Sequence, residues 1–235
     1  EHPVYAIRRR DLAGARRQRH TIYRRVWPHA LDGIKPAYVP ARDLEVGDFL
    51  VYRYPTIEQD REELTPEVLR LLGYYLSEGY FSSNDPKGEY GTLAFAFHKN
   101  EQALIEDVAR ILQRLFGKRV SQRTRNNATE LYICSRRAVR FMEYYCGHYA
   151  REKKLHPHLL TLPVEKQTVL LDTYFRGDGN THRDQRGNRA DTVVLSTASR
   201  KLAFQLQMIV ARLGYFAKVR DRVPAPSRIE GRAIR

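Results

Sequence analysis

Two stretches decide how this chain is read: Leu71-Leu72-Gly73-Tyr74-Tyr75-Leu76-Ser77-Glu78-Gly79 and, one hundred residues on, Leu171-Asp172-Thr173-Tyr174-Phe175-Arg176-Gly177-Asp178-Gly179. Each reads as an apolar helix closing on a small residue, a carboxylate and a glycine. Gly73 and Ser77, like Thr173 and Gly177, stand four apart and so share one helix face. A face without bulk lets two backbones approach closely. Pairing along those faces brings Glu78 and Asp178 out side by side at one end. There the two carboxylates repel each other and occupy the negative ends of both helix dipoles. Such a local conflict is expected at a functional site. A divalent cation resolves it, because hard oxygen ligands with room for water suit Mg²⁺. The free backbone carbonyls of Ser77 and Gly177 are further ligand candidates.

Working outward, Thr65-Pro66-Glu67 supplies a cap, a first-turn proline and a dipole-matching acid for the first helix. A strand is predicted over 91–98 and an amphipathic helix over 103–116, ended by Gly117. A hairpin over 120–125 and 130–135 turns at Asn126-Asn127, and a shorter helix covers 138–146. After a polar connection the order returns: a helix over 164–176, a strand over 192–196, a helix over 202–213 before Gly214, and a strand over 215–220. This is a pseudo-symmetric pair with a period near one hundred residues. The second copy reads as incomplete, its partner strand and closing helix expected beyond residue 224. Residues 1–55 read as β-rich and proline-interrupted, with strands over 4–7 and 48–52 and a basic run from Arg8 to Arg25. The expected divisions are a β-rich segment with a basic arm at 1–60, one half at 61–150, a linker at 151–163 and a second half at 164–235.

Composition sets the partner class. The 235 residues carry 41 Lys+Arg against 27 Asp+Glu, a formal charge of +14, with 42% hydrophobic residues. That is enough apolar content for packed cores and enough positive charge to favour a polyanion. No apolar run of about 18 residues spans a membrane. The start lacks signal-peptide character. With Cys134 and Cys146 alone, a disulfide scaffold is excluded and a reducing, intracellular setting is the expectation. His156 and His158 flank Pro157 without the ligand cluster a zinc site needs.

The two stretches resemble the paired motifs of the LAGLIDADG homing endonucleases, also called dodecapeptide or DOD type. Glu78 and Asp178 fall on the metal-binding acidic position. The first copy matches at both small-residue positions; the second carries Asp172 for an apolar residue and Thr173 for the usual Gly or Ala. The resemblance covers 64–235 and implies an α+β fold of two αββαββα halves whose sheets form a DNA-binding saddle, the second half truncated. It implies site-specific cleavage of both strands of double-stranded DNA with Mg²⁺ or Mn²⁺. It also implies a monomer, since both motifs lie in one chain. Basic residues often stand near such a centre, and Lys99 and Arg136, each just after a strand, are the candidates. Two other readings stay open: an inactive DNA-binding module, and a maturase-like RNA binder.

A second resemblance lies outside that core. Glu1-His2-Pro3-Val4 resembles the intein block containing Thr-x-x-His, and Ala41-Arg42-Asp43-Leu44-Glu45-Val46-Gly47-Asp48-Phe49-Leu50 resembles the following intein β segment. Ser196-Thr197-Ala198-Ser199-Arg200-Lys201-Leu202 is similar to the endonuclease region of archaeal and bacterial inteins. His2 is then a splicing (Hint) remnant. The sequence holds no amino-terminal Cys or Ser nucleophile and no carboxyl-terminal His-Asn pair, so splicing by this chain is not expected.

For the duplex, the resemblance puts strands and loops in the major groove. Arg119, Gln122, Arg123, Arg125, Asn126 and Asn127 gather around the first hairpin, and such side chains make paired contacts to base edges. In the second half His182, Arg183, Gln185, Arg186, Asn188 and Arg189 surround a Gly187 turn. Lys218, Arg220 and Arg222 form a period-two basic face on the last predicted strand.

Overall fold

Gly47 adopts φ +103° and returns the chain so that Asp48 can anchor the amino-terminal strands. In the computed structural model the Asp48 carboxylate accepts from the backbone N–H groups of Arg9 and Glu45, each at 2.9 Å, and pairs with Arg8 Nε at 3.1 Å. Burial pushes this carboxyl up, but the two backbone bonds and Arg8 outweigh it and hold it below its ordinary value. Around this anchor lie β1 (Pro3–Ile7), β2 (Ala37–Pro40) and β3 (Phe49–Leu50), antiparallel in the order β2-β1-β3. The structure describes residues 2–12, 33–51, 54–82, 91–182, 192–222, 228–229 and 232–233. The chain divides into two compact units, Glu1–Tyr54 and Pro55–Arg235.

In the larger unit the Thr65 hydroxyl caps α1 (Pro66–Glu78) by accepting from Val68 N–H, as its sequence predicts. This helix is buried almost all round, through Leu69, Leu71, Leu72, Tyr74, Tyr75 and Leu76. A helix apolar on every side must be covered on every side, and here that is so. It enters β4 (Gly79–Ser82) with no intervening residue. Gly79 makes this possible, since a Cβ there would lie 2.6 Å from Tyr75 Cα.

The first half continues with β5 (Thr92–His98), α2 (Gln102–Phe116), β6 (Ser121–Arg125), β7 (Ala128–Cys134) and α3 (Arg136–Cys146). The four strands form an antiparallel sheet in the order β4-β5-β7-β6. Phe81, Leu93, Phe95, Phe97, Leu131 and Ile133 are its buried face and join the core with α1, α2 and α3. The hairpin closes through Asn126 at φ +54°, a left-handed conformation that asparagine tolerates.

After a connection that holds the single turn α4 (Pro157–Leu160), the second half consists of α5 (Val164–Asp178), β8 (Gly179–His182), β9 (Thr192–Leu195) and α6 (Arg200–Arg212). Its hairpin register repeats the first: Gly79↔Phe95 and Ser82↔Thr92 are matched by Gly179↔Leu195 and His182↔Thr192, an offset of one hundred residues at every position. The repeat read from sequence is therefore a repeat of hydrogen bonding. No helix among the described residues is long and apolar enough to cross a membrane.

Three readings change. The helix predicted to stop at residue 176 runs to Asp178, because its carbonyl ladder continues to Gly179 N–H. The strands β4 and β8 and the single turn α4 were too short to show a period. The strand predicted over 215–220 does not form among the described residues. Lys218 and Arg220 do alternate in exposure with the partly buried Ala217 and Val219. Yet no neighbouring strand pairs with them, and Tyr215 and Phe216 stand 71% and 89% exposed. Alternation alone makes no strand without a ladder partner. Beyond it, β10 (Arg228–Ile229) and β11 (Arg232–Ala233) pair with each other.

Candidate active site at the paired helix ends

Helices α1 and α5 touch along their small residues. A Cβ added at Gly73 would meet Thr173 Cβ at 2.7 Å and the Leu170 carbonyl oxygen at 2.9 Å. One added at Gly177 would meet Ser77 Cβ at 2.5 Å and Glu78 Oε1 at 3.0 Å. The two helices thus pack closely up to the end where both acids emerge. Thr173 fits at this seam because its hydroxyl turns back to donate to the Val169 carbonyl at 2.8 Å.

Both carboxyls are half-buried and raised above the ordinary range. Glu78 is pushed up to about 7, first by burial, then by the charges of Asp178 and Glu101. Asp178 is raised by burial, with Lys153 and a hydrogen bond from Tyr174 working the other way. The site therefore holds an excess of unwelcome negative charge, the condition a hard cation relieves. No group of three or more His, Cys, Asp or Glu side chains is arranged for a metal among the described residues. Two carboxylates leave most of an octahedral Mg²⁺ shell to water and substrate oxygens, which that ion accepts. The donor set fits a divalent cation of this kind.

Lys153 is the residue that the sequence did not single out. It is buried, and its Nζ donates to the carbonyls of Tyr75 at 2.8 Å, Leu76 at 3.0 Å and Gly79 at 3.0 Å. These are carbonyls at the end of α1, where a cation is favoured by the dipole. Its partners do not include the Ser77 carbonyl. Burial lowers its pKa, opposed by Asp178, Cys146 and Glu78. The connection that carries it is tied down on both sides: Tyr75 Oη donates to the Gly147 carbonyl at 2.9 Å, and Ser199 Oγ donates to that of Lys153 at 2.6 Å. Gln205 takes both backbone groups of Leu155, at 2.8 Å each. A lysine doublet in a polar connection reads as surface, so no local signal marked it. Tyr174 lies within the second motif but reads there as one more aromatic of the helix; its hydroxyl meets the Ser196 carbonyl and Asp178.

Among the basic candidates, Lys99 lies exposed in the turn after β5, on the side of Glu101, whose charge reaches Glu78. Arg136 begins α3 at the other end of β5, where Ser135 N–H donates to the Gly91 carbonyl. Arg123 and Arg125 share the open face of the sheet. Gln122, opposite the buried Leu131, belongs to the other face of this edge strand. Arg119, Asn126 and Asn127 are exposed. Arg183, Gln185, Arg186, Asn188 and Arg189 lie outside the described residues, as does the run from Arg16 to Arg25; of His182 only the backbone is described. His2 is exposed before β1, its carbonyl accepting from Ala41 N–H at 3.2 Å.

The geometry defines an α+β protein whose two repeats meet through paired helices with acidic ends. The family model of the LAGLIDADG-like domain matches residues 65–146 and 165–233, and the chain belongs to that family. An iron-sulfur cluster assembly SufBD family protein of Mycobacterium bovis is 33% identical over the whole of this chain, which covers 27% of that protein. The ATP-dependent DNA helicase Hel308 of Thermococcus kodakarensis is 30% identical over 71% of this chain and 15% of its own length. A DNA polymerase of Thermococcus litoralis is 28% identical over 76% of this chain and 10% of its own. The chain thus spans about a quarter or less of these relatives. Solved structures of the homing endonucleases I-DmoI and I-WcaI, the latter bound to its DNA recognition sequence, are similar at TM-scores of 0.48 and 0.44. Their identities are 14% and 17%, over 66% and 64% of this chain and 77% and 67% of theirs.

Proposed function

We propose that the chain is an intein-encoded, DOD-type homing endonuclease that cleaves both strands of a specific double-stranded DNA site with Mg²⁺ or Mn²⁺. The convergence of Glu78 and Asp178 at the close-packed ends of α1 and α5 carries this reading. Glu78 and Asp178 hold the cation. When bound, such an ion supplies Lewis acidity and a water of lowered pKa. Lys153 fixes the end of α1 that presents Glu78, and Tyr174 orients the Asp178 carboxylate. Lys99 is the better placed of the two basic candidates to neutralise charge on the phosphate. The pseudo-twofold arrangement assigns one DNA strand to each half, and one chain suffices.

Sequence from this chain also matches within relatives named for iron-sulfur assembly, DNA unwinding and DNA synthesis, in each case over a small share of their length. A segment shared by proteins of such different names is a module separate from its hosts, which supports an intein origin. Residues 1–60 then belong to the splicing (Hint) segment, with His2 its histidine; 61–150 and 164–235 are the endonuclease halves and 151–163 their linker. An intracellular setting follows from a DNA substrate. The test is selection of cleaved duplexes from a random library with Mg²⁺. Cutting at one long site that Asp178→Asn abolishes supports the proposal. Binding of that site without cutting under any divalent ion supports the inactive module instead, and a preference for RNA the maturase-like binder.

A further inference from the structure

On the open face of the first sheet the register aligns Ala96, Glu130 and Arg123 across three neighbouring strands. Arg123 Nη2 donates to Glu130 Oε2 at 2.9 Å, and Tyr80 Oη donates to Glu130 Oε1 from β4. Tyr80 can reach this far because β5 presents only Ala94 and Ala96 between them. The carboxylate is therefore held from both sides, with its side chain 24% exposed, while that of Arg123 remains 67% exposed. Burial and the Glu130 contact push the Tyr80 hydroxyl up to about 12, so it stays a donor at all ordinary pH.

An acid at the centre of a face meant for DNA is unexpected on charge alone. A cross-strand ion pair contributes little to a sheet and needs no tyrosine. An arginine meant for phosphate is weakened by a carboxylate at its side, since the pair is nearly neutral. An arginine meant for a base edge gains, because its planar fork is fixed before binding and most of its five donors stay free.

We propose that Glu130, braced by Tyr80, positions Arg123 as the reader of one guanine in the bound duplex through its O6 and N7 acceptors. The inference rests on the DNA reading above and adds to it a specificity-determining group. Guanine is the base whose major-groove edge offers two adjacent acceptors to such a fork.

The test is equilibrium selection from a random duplex library in EDTA, so that binding is read without hydrolysis, with thermal melting as the check on folding. The full chain should show one guanine position at which any other base weakens binding about tenfold to a hundredfold. Arg123→Ala should erase that preference and spare the others. Glu130→Gln should blunt the same position while raising affinity for all duplexes, and Tyr80→Phe should blunt it without that general rise. The proposal is overturned if Arg123→Ala weakens all sequences evenly with a shallower salt dependence, as a phosphate contact would. It is equally overturned if Glu130→Gln leaves the profile unchanged. A chain that selects no duplex sinks the DNA reading itself; one that selects normally but ignores these substitutions sinks this inference alone.

Discussion

Glu78 Oε1 lies against the backbone of Gly177, 3.0 Å from where a Cβ on that residue would stand. The carboxylate of one repeat is thus seated on the residue that precedes the carboxylate of the other. The separation of the acids is set by a missing side chain, and the consequences are measurable.

Gly177→Ala should force α1 and α5 apart at the acidic end. Overpacking of this kind costs about 1–3 kcal/mol, and the shift falls where the metal would sit. We expect a lower melting temperature and a loss of Mg²⁺-dependent cleavage of a hundredfold or more. Alanine at Gly91, which has open space around it, should change neither. Equal effects at both positions would contradict the tight seam.

The raised Glu78 pKa sets a pH dependence in the metal-free protein. Its folded value of about 7 exceeds the ordinary 4.5, so between these the folded state binds more protons than the unfolded. Stability from this group is full below pH 4.5 and is lost as pH rises through 7. Denaturant midpoints of the metal-free chain should therefore fall across that window. Glu78→Gln should flatten the fall, and a divalent cation should reverse it.

Lys153→Met should be among the costliest single changes outside the apolar core. It leaves the Leu76 and Gly79 carbonyls without the donor they share with Tyr75, whose carbonyl keeps the Gly79 N–H, and takes the Lys153 charge away from Glu78. Buried unsatisfied groups cost about 1–3 kcal/mol each and do not add fully, so about 3 kcal/mol is expected. Urea unfolding reads this directly. Lys154→Met serves as the control, and indistinguishable midpoints would argue against the buried contact.

Tyr174→Phe should cost about 1 kcal/mol for the lost bond to Ser196. It should also free the Asp178 carboxyl from its hydrogen bond and raise its pKa further. Under the proposed activity, the acidic limb of the pH–rate profile for DNA cleavage then moves upward. An unmoved limb with reduced stability would leave Tyr174 a packing residue only.

The sequence by itself determined the repeat, the capped start of α1, the amphipathic α2 and α6, and the two acids, because these depend on local periods and local caps. The small residues at 73, 77, 173 and 177 even announced which faces meet. What lay beyond it were features whose meaning comes from partners far along the chain. Lys153 reads as a surface lysine until 147–156 folds back over the end of α1. Residues 215–220 read as a strand until the sheet provides no partner. Glu130 reads as an ordinary surface acid until register sets it between Tyr80 and Arg123. Periodicity reports which side of an element is buried; only tertiary structure decides what stands opposite, and at this site what stands opposite sets charge, reach and donor.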